Sequence, residues 1–309
     1  MTTTTSNNNM NTSTTIINSL FSISGKNVLI TGGSRGIGLM IAKTFALAGA
    51  NVLLTSRSEL ACKDATESIQ KGLKKEQQQQ MMMNSMGANS CSSSKVQYVV
   101  SNVSNRNGCE ELAKYTAKVF NNKLDILINN AGASWGEPLE RNSGKANWGF
   151  DKVLDLNIKG VFYLTRACIP LLENSSCPED PSRIINIGSV VGIIPQAAPT
   201  YAYDASKAAV HSLTKKLAAD LARKHITVNA VAPGFVETRM SSGLSKWGAT
   251  PEVLKKSIPL GRMGNEDDMA GACIYLCSKA GSYLTGVILN VDGGSVGAIQ
   301  IDLGTDSNL

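Results

Sequence analysis

The sequence predicts an α/β fold, in which one doubly wound, parallel sheet of seven strands carries helices on both faces. Seven short apolar runs alternate with longer segments whose apolar residues recur at helical spacing. A glycine-rich turn joins the first of these runs to the first helical segment. Apart from one low-complexity stretch, no linker-like composition interrupts residues 23–298. These observations favour a single domain over 23–298, with tails at 1–22 and 299–309.

The predicted elements alternate along the whole domain. Strands are predicted at 28–31, 51–57, 96–100, 124–128, 183–187, 227–231 and 287–291, and helices at 39–47, up to about 72, and at 106–121, 147–173, 203–224 and 266–278. Successive parallel strands require crossover connections, and chain chirality makes these right-handed. Sheets of this kind bind their ligands beyond the carboxyl ends of the strands, where the loops gather. We therefore expect the informative polar residues at the strand ends.

Two segments have the composition of disordered chain. Residues 1–20 are mostly Thr, Ser and Asn, without the basic and apolar regions of a secretory signal or the arginines of a mitochondrial presequence. The stretch 74–95 contains runs of Gln, Met, Asn and Ser. We interpret it as a mobile surface insertion between a helix and the third strand.

Composition excludes several classes of function. The 309 residues include no apolar run long enough to span a membrane, and the net charge of +6 comes without a basic patch for nucleic acid. Seven cysteines without a C-x-x-C motif, together with only two histidines, predict no metal site. Reduced thiols suit a cytoplasmic location. The mild positive charge favours anionic ligands, such as a phosphorylated cofactor or an acidic carrier protein.

The glycine-rich turn has the spacing Gly32-x3-Gly36-x-Gly38 and follows the first predicted strand. Glycines let the backbone approach a ligand closely, and the N-terminus of the following helix offers unpaired N–H groups to a phosphate. The spacing differs from the common G-x-G-x-x-G dinucleotide fingerprint. An ordinary strand-to-helix turn would explain the glycines alone, so the interpretation depends on other motifs.

Those motifs lie at the ends of later strands. Ser189 follows the fifth strand, while Tyr203 and Lys207 lie four residues apart at the start of a helix and so share one helical face. Asn157 lies on the preceding long helix. A Tyr-x-x-x-Lys pair is by itself common on exposed helix faces. Its combination with Asn129-Asn130-Ala131-Gly132 and Pro233-Gly234, in this order, is not expected by chance.

Over about residues 23–296, this set of motifs resembles the short-chain dehydrogenase/reductase family. The resemblance implies a Rossmann-like fold, NADP(H) as cofactor, and a catalytic tetrad of Asn157, Ser189, Tyr203 and Lys207. Tyr201 does not match the family's tyrosine, because Ala205 stands four residues after it. The resemblance also implies the cofactor-binding positions Gly32, Ser34, Arg35, Gly36, Ile37, Gly38, Arg57, Asn102, Val103, Asn130, Ala131, Gly132, Tyr203, Lys207, Pro233, Gly234, Val236 and Thr238.

Ketone reduction gives the tetrad its chemical rationale. Hydride addition develops an alkoxide that needs a proton, and a tyrosine with a reference pKa of ~10 is a weak acid for this task. We expect the Lys207 ammonium to lower the pKa of Tyr203, which then acts as general acid in reduction and general base in oxidation. Ser189 would hydrogen-bond the carbonyl oxygen. Lys207 would also hold the nicotinamide ribose, and Asn157 would position a water that links Lys207 to solvent.

The end of the second strand favours NADPH over NADH. Enzymes that use NAD usually place a carboxylate there, to hold the ribose 2′-hydroxyl. Here the strand ends in Thr55-Ser56-Arg57, and the first carboxylate is Glu59. Arg35 lies within the glycine turn, so two guanidinium groups are available to bind a 2′-phosphate. Asn102 and Val103 are expected beside the adenine.

The motifs around 186–192 and 231–238 resemble those of 3-oxoacyl-[acyl-carrier-protein] reductases, and 133–136 and 201–203 resemble the bacterial ketoacyl reductase of rhamnolipid synthesis. This implies a 3-oxoacyl thioester as substrate, on a carrier protein or coenzyme A. A flexible segment at 239–260 would close over the acyl chain, with Met240, Leu244 and Trp247 as candidate pocket residues.

Three alternatives stay open at this point. The enzyme could act on another small ketone or secondary alcohol, the chain could be an idle NADP-binding module, or it could be an interaction protein built around the Gln/Met stretch. The family resemblance further implies a homo-oligomer, a tetramer or dimer, formed through the helices at 147–173 and 203–224.

Overall fold

The computed structural model describes residues 16–83, 94–141, 146–238, 241, 248 and 250–298. It confirms the predicted fold class, because seven strands form one sheet in the order β3-β2-β1-β4-β5-β6-β7 and all neighbouring strands pair in parallel. The strands are β1 (Asn27–Thr31), β2 (Asn51–Ser56), β3 (Val96–Val100), β4 (Ile126–Asn129), β5 (Ser182–Ile187), β6 (Ile226–Pro233) and β7 (Ile288–Val291).

Helices cover both faces of this sheet. They are α1 (Gly36–Leu47), α2 (Glu59–Met83), α3 (Arg106–Val119), α4 (Ala146–Leu154), α5 (Gly160–Glu173), α6 (Tyr201–Leu221), α7 (Pro251–Ser257) and α8 (Glu266–Cys277), and a π-helical turn at Asp155–Lys159 joins α4 to α5. Successive side chains of β1 point to opposite faces of the sheet and pack into two separate cores. Val28 and Ile30 pack with α1, α2 and α8, whereas Leu29 packs with α3, α5 and α6. The sheet is therefore buried on both faces, as its continuous apolar strands predict.

The strand order places the change of winding direction between β1 and β4. Ile30 of β1 pairs with Ile128 of β4, and Asn129 pairs with Asn186 of β5, so the carboxyl ends of these three strands lie side by side. The loops that follow them diverge toward opposite faces and leave a crevice, which is where ligands bind in open sheets of this type.

Several predicted boundaries were wrong. Helix α2 does not end near Gly72 but continues to Met83, so the first part of the 74–95 stretch is helical rather than an irregular insertion. Lys, Glu, Gln and Met are all good helix formers, and no breaker interrupts them. Residues 84–93 lie outside the described residues. Strand β4 begins at Ile126, and α6 begins at Tyr201, so Tyr203 lies within the first turn of this helix.

Other features of the described residues bear on the functional classes considered above. None of the helices in these parts of the chain is both long enough and apolar enough to cross a membrane. Within the same parts, no group of three or more His, Cys, Asp or Glu side chains could hold a metal ion, and the six described cysteines are all unpaired.

Candidate active site

The π-helical turn between α4 and α5 positions Asn157 under the crevice. The side chain is 1% exposed. Its Nδ2 donates to the Ala133 carbonyl at 3.0 Å and to Ser206 Oγ at 2.9 Å, while its Oδ1 accepts from the Ala133 N–H at 2.9 Å. Both amide hydrogens are thus used within the protein. Asn157 braces the loop after β4 against α6, and the expected contact with a relay water stays a prediction.

Ser189 and Tyr203 are brought together from different elements. Ser189 follows β5 and precedes a 3₁₀ turn at Val190–Gly192, whose Val191 N–H donates to Ser189 Oγ at 3.4 Å. The side chains of Ser189 and Tyr203 lie within hydrogen-bonding reach of each other. Burial raises the pKa of Tyr203 above its ordinary value of 10.0, and the hydrogen bond with Ser189 offsets only part of that effect. The phenol is therefore protonated at neutral pH.

Lys207 does not have the expected effect on this phenol. Its Nζ donates to the Ile187 carbonyl at 2.7 Å and lies 5.4 Å from the centre of the Tyr203 ring. The side chain is 6% exposed, and burial lowers the pKa of its ammonium to about 8. The prediction that Lys207 makes Tyr203 more acidic was therefore wrong for this structure, because the ammonium faces the end of β5 instead of the phenolic oxygen.

The glycine turn is tied to the end of β4 by one side chain. Asn130 Nδ2 donates to the carbonyls of Thr31 and Gly32, at 2.9 and 3.2 Å. A methyl group at Gly38 would lie 2.3 Å from this nitrogen and 2.4 Å from the Gly32 carbonyl oxygen, so no side chain fits there. Gly36 adopts a φ of 51°, which favours glycine. Asn130 thus supports the turn, a role that its place in the motif did not reveal.

The same turn has the features of an anion cradle. The N-terminal residues of α1 have no side-chain cap, and its first turn has no acidic residue. Thr238 approaches from the loop after β6, where its Cγ2 lies 3.4 Å from the position that a Cβ on Gly36 would occupy. The uncapped N–H groups therefore face a narrow space between two loops, which suits a phosphate.

Two arginines flank this cradle. Arg35 and Arg57 are both exposed, and Ser34 is buried beside Arg35. The Gly33 N–H donates to the Thr55 carbonyl at 3.2 Å, so the turn and the end of β2 are in direct contact. The two guanidinium groups thus extend from adjacent, hydrogen-bonded segments, as the expected 2′-phosphate site requires.

The remaining predicted cofactor residues divide into two groups. Val103 and Val236 are 7% and 3% exposed, so their side chains belong to the core and only their main chains are available to a ligand. Asn102 is exposed, and its Oδ1 accepts from the Ser104 N–H. The other positions are partly exposed, namely Ile37, Ala131, Gly132 and Gly234, except Pro233, which is buried at the end of β6. Gly132 lies beside the tetrad, because a Cβ there would lie 3.4 Å from Asn157 Oδ1 and 3.7 Å from Lys207 Nζ.

The segment between Ser189 and Tyr203 carries partly exposed apolar side chains. Ile193, Ile194 and Tyr201 are 44%, 40% and 48% exposed. On the facing loop, the indole of Trp135 covers Gly149 of α4, and the Glu137 N–H donates to the Pro199 carbonyl at 3.0 Å. We name Ile193, Ile194 and Tyr201 the apolar rim. The predicted pocket residues Met240, Leu244 and Trp247 lie outside the described residues.

Sequence reasoning missed two residues of this site. Ser206 accepts the Asn157 hydrogen bond, and His211 packs beneath the Ser189 turn. The spacing offered a signal in one case, since His211 follows Lys207 by four residues and must share its helical face.

Comparisons with known proteins agree with this geometry. Residues 32–296 match the family model described as "Enoyl-(Acyl carrier protein) reductase". The chain is 38% identical to the rhamnolipids biosynthesis 3-oxoacyl-[acyl-carrier-protein] reductase of Pseudomonas aeruginosa, over 89% of this chain and 97% of that protein. It is 34% identical to the gluconate 5-dehydrogenase of Gluconobacter oxydans, over 89% of this chain and 96% of that protein.

A comparison with solved structures shows that the fold is similar as well. The Pseudomonas aeruginosa RhlG/NADP active-site complex is 37% identical and superposes with a TM-score of 0.77, over 90% of this chain and 98% of that one. Each of these matches covers most of the chain. The structure also brings together the four residues Asn157, Ser189, Tyr203 and Lys207. The chain belongs to the short-chain dehydrogenase/reductase family.

Proposed function

We propose that this protein is an NADPH-dependent oxidoreductase that reduces a 3-oxoacyl thioester to its 3-hydroxyacyl form. The observation that carries the proposal is the close approach of Ser189 and Tyr203, with Lys207 Nζ 5.4 Å from the centre of the Tyr203 ring. An idle binding module would have no use for a phenol that is paired with a serine in this way. The catalytic domain is residues 23–298.

The residues present fit NADP(H). The cradle formed by the N-terminus of α1 and Thr238 would hold the pyrophosphate, and Gly36 leaves no Cβ in its way. Arg35 and Arg57 would bind the 2′-phosphate through charge-assisted hydrogen bonds. Lys207, with an ammonium already buried at the end of β5, would bind the ribose hydroxyls of the nicotinamide half. When bound, NADPH supplies the hydride that reduces the carbonyl carbon of the substrate.

The protein's own residues manage the oxygen of that carbonyl. Ser189 Oγ donates a hydrogen bond to it, which fixes its position and stabilises the negative charge that develops there. The Tyr203 hydroxyl transfers its proton to the same oxygen, so that an alcohol leaves the site. The raised pKa of Tyr203 keeps this proton in place at neutral pH, so the phenol is available as the general acid of the reduction. Asn157 keeps the loop after β4 and helix α6 at a fixed separation during this step.

Three observations support an acyl thioester as substrate. The apolar rim offers aliphatic and aromatic surface beside the catalytic pair, which suits an acyl chain. The curated relative from Pseudomonas aeruginosa is a 3-oxoacyl-[acyl-carrier-protein] reductase. A net charge of +6 suits an acidic carrier or the phosphates of coenzyme A.

The similarity to a gluconate 5-dehydrogenase favours a second candidate, a polyol or sugar-acid dehydrogenase. Such a substrate carries a hydroxyl on nearly every carbon and requires polar partners. The apolar rim provides none at Ile193 and Ile194, so we place this function second.

The assembly and location are also part of the proposal. A homo-oligomer, a tetramer or dimer, would bury the exposed aromatic residues Phe150 and Phe162 of α4 and α5. Arg166 lies over the Phe162 ring at 5.4 Å and would pack into the same contact. The unpaired state of the six described cysteines supports a cytoplasmic location.

A substrate screen tests the proposed function. The purified chain is assayed for NADPH oxidation with acetoacetyl-coenzyme A, carrier-bound 3-oxoacyl chains of increasing length, simple ketones and 5-ketogluconate. We expect the highest kcat/KM with a 3-oxoacyl thioester. Tyr203→Phe should abolish turnover while NADPH still binds, and Tyr283→Phe, at a fully exposed tyrosine, is the matched control. A higher kcat/KM with 5-ketogluconate would move the second candidate to first place.

A further inference from the structure

His211 lies directly beneath the Ser189 turn, although the mechanism above gives it no role. It is on α6, one helical turn after Lys207, and is 7% exposed. Gly188 and Gly192 flank the turn and make room for its ring. A Cβ on Gly188 would lie 2.2 Å from His211 Nε2, and one on Gly192 would lie 2.9 Å from His211 Cε1. The imidazole therefore fills a slot that exists only because both flanking residues are glycines.

Hydrogen bonds connect this ring to Ser189 in two steps. The imidazole lies within hydrogen-bonding reach of the backbone carbonyl of Gly192, with the ring as donor. The Gly192 N–H in turn donates to the Ser189 carbonyl at 3.0 Å. Within the described residues His211 Nε2 has no partner, so the donor is Nδ1. A single residue, Gly192, thus connects the imidazole to the serine through its carbonyl and its N–H.

The ring is held in its neutral form. Burial is the main cause that lowers the pKa of His211 to about 4, and the ammonium groups of Lys207 and Lys215 lower it further. A neutral imidazole has one N–H donor, and the Gly192 carbonyl takes it. The bond to Gly192 is therefore present throughout the neutral pH range.

We propose that His211 is a positioning residue, which holds the turn at Val190–Gly192 so that the Ser189 hydroxyl meets Tyr203 and the substrate carbonyl. It touches neither substrate nor cofactor and acts through Ser189. The inference rests on the proposed reductase function, because its effect is measured on that reaction.

The test uses two substitutions of matched shape. His211→Asn places an amide N–H where Nδ1 is now, and His211→Leu has the same branched outline without a donor. We expect His211→Asn to keep kcat within about threefold of the parent protein. His211→Leu should lower kcat roughly tenfold, because the loss of one neutral hydrogen bond raises the free-energy barrier by about the amount that corresponds to a tenfold change in rate. The Kd for NADPH, measured by fluorescence, should change less than about twofold in either variant.

A double-mutant cycle separates positioning from general damage. In a Ser189→Ala background, His211→Leu should lower kcat by less than about twofold further, because the serine through which it acts is gone. A tenfold loss in both backgrounds would refute the proposal, as would equal losses in His211→Asn and His211→Leu. If the parent protein reduces ketones and His211→Leu retains full kcat, the inference about His211 is refuted but the proposed function is not. A parent protein inactive on every ketone would refute the proposed function and this inference with it.

Discussion

Replacing Lys207 by Met should make the protein more stable and inactive. The Lys207 ammonium is 6% exposed and has one hydrogen-bond acceptor, the Ile187 carbonyl. Burial lowers its pKa from 10.5 to about 8. A pKa shift of this size means that burial of the charged ammonium destabilises the folded protein by roughly 3 kcal/mol. Met removes the charge at similar length, but leaves the Ile187 carbonyl without this donor, which costs about 1–2 kcal/mol. The net expected gain in unfolding free energy at pH 7 is about 1–2 kcal/mol.

The pH dependence provides the sharper measurement. The pKa of Lys207 is depressed in the folded state, so between about pH 8 and pH 10.5 the unfolded chain binds more protons than the folded one. The free energy of unfolding of the parent protein must therefore rise with pH in this window, relative to the Met variant. Between pH 7 and pH 9.5 the free energy of unfolding of the parent protein should rise by about 2 kcal/mol relative to that of the Met variant.

Urea unfolding of both proteins at pH 7 and pH 9.5 checks this expectation. Lys63→Met, on the exposed side of α2, is the control for loss of a lysine charge at the surface. A Lys207→Met variant that is less stable than the parent by more than about 1 kcal/mol at pH 7, with a gap independent of pH, would refute the reasoning. It would mean that the hydrogen bond to Ile187 outweighs the desolvation of the charge.

Three further predictions concern the cradle and its support. The double variant Arg35→Ala/Arg57→Ala should weaken NADPH binding by at least about 100-fold in a fluorescence titration while NADH binding changes little, since charge-assisted hydrogen bonds contribute about 1.5–3 kcal/mol each; an equal loss for both cofactors would contradict the 2′-phosphate assignment. Gly38→Ala should abolish NADPH binding, because its methyl group would lie 2.3 Å from Asn130 Nδ2, whereas Gly72→Ala on α2 meets open space and should bind NADPH normally. Asn157→Ala removes three hydrogen bonds and should lower the free energy of unfolding by about 3 kcal/mol, and a change below about 1 kcal/mol in urea unfolding would show that the brace is dispensable.

The sequence was sufficient for the fold, because the fold depends on the order and spacing of the apolar and helical segments. Apolar runs that alternate with helical segments leave few topologies, and the family resemblance singled out Tyr203 from Tyr201. The structure brings Ser189, Tyr203 and Lys207 to the same crevice. Their catalytic roles stay predictions until the variants are assayed.

What the sequence could not provide was the direction of side chains and the degree of burial. Spacing places Lys207 on the same helical face as Tyr203, but only the fold shows that its ammonium faces the Ile187 carbonyl. The raised pKa of Tyr203 has the same origin, because desolvation depends on neighbours from several elements. The helical part of the Gln/Met stretch was missed for a different reason. Low complexity is typical of an irregular chain, but the residues of this stretch are strong helix formers.

The strand order has a consequence for the growing polypeptide. Strand β1 pairs on one side with β2 and on the other with β4, which lies beyond residue 125. A ribosome-bound chain that ends before β4 therefore has β1 with one open edge of unpaired peptide groups, an edge that attracts other strands. Nascent chains arrested in this interval should associate with chaperones or with each other, and release should follow soon after β4 emerges.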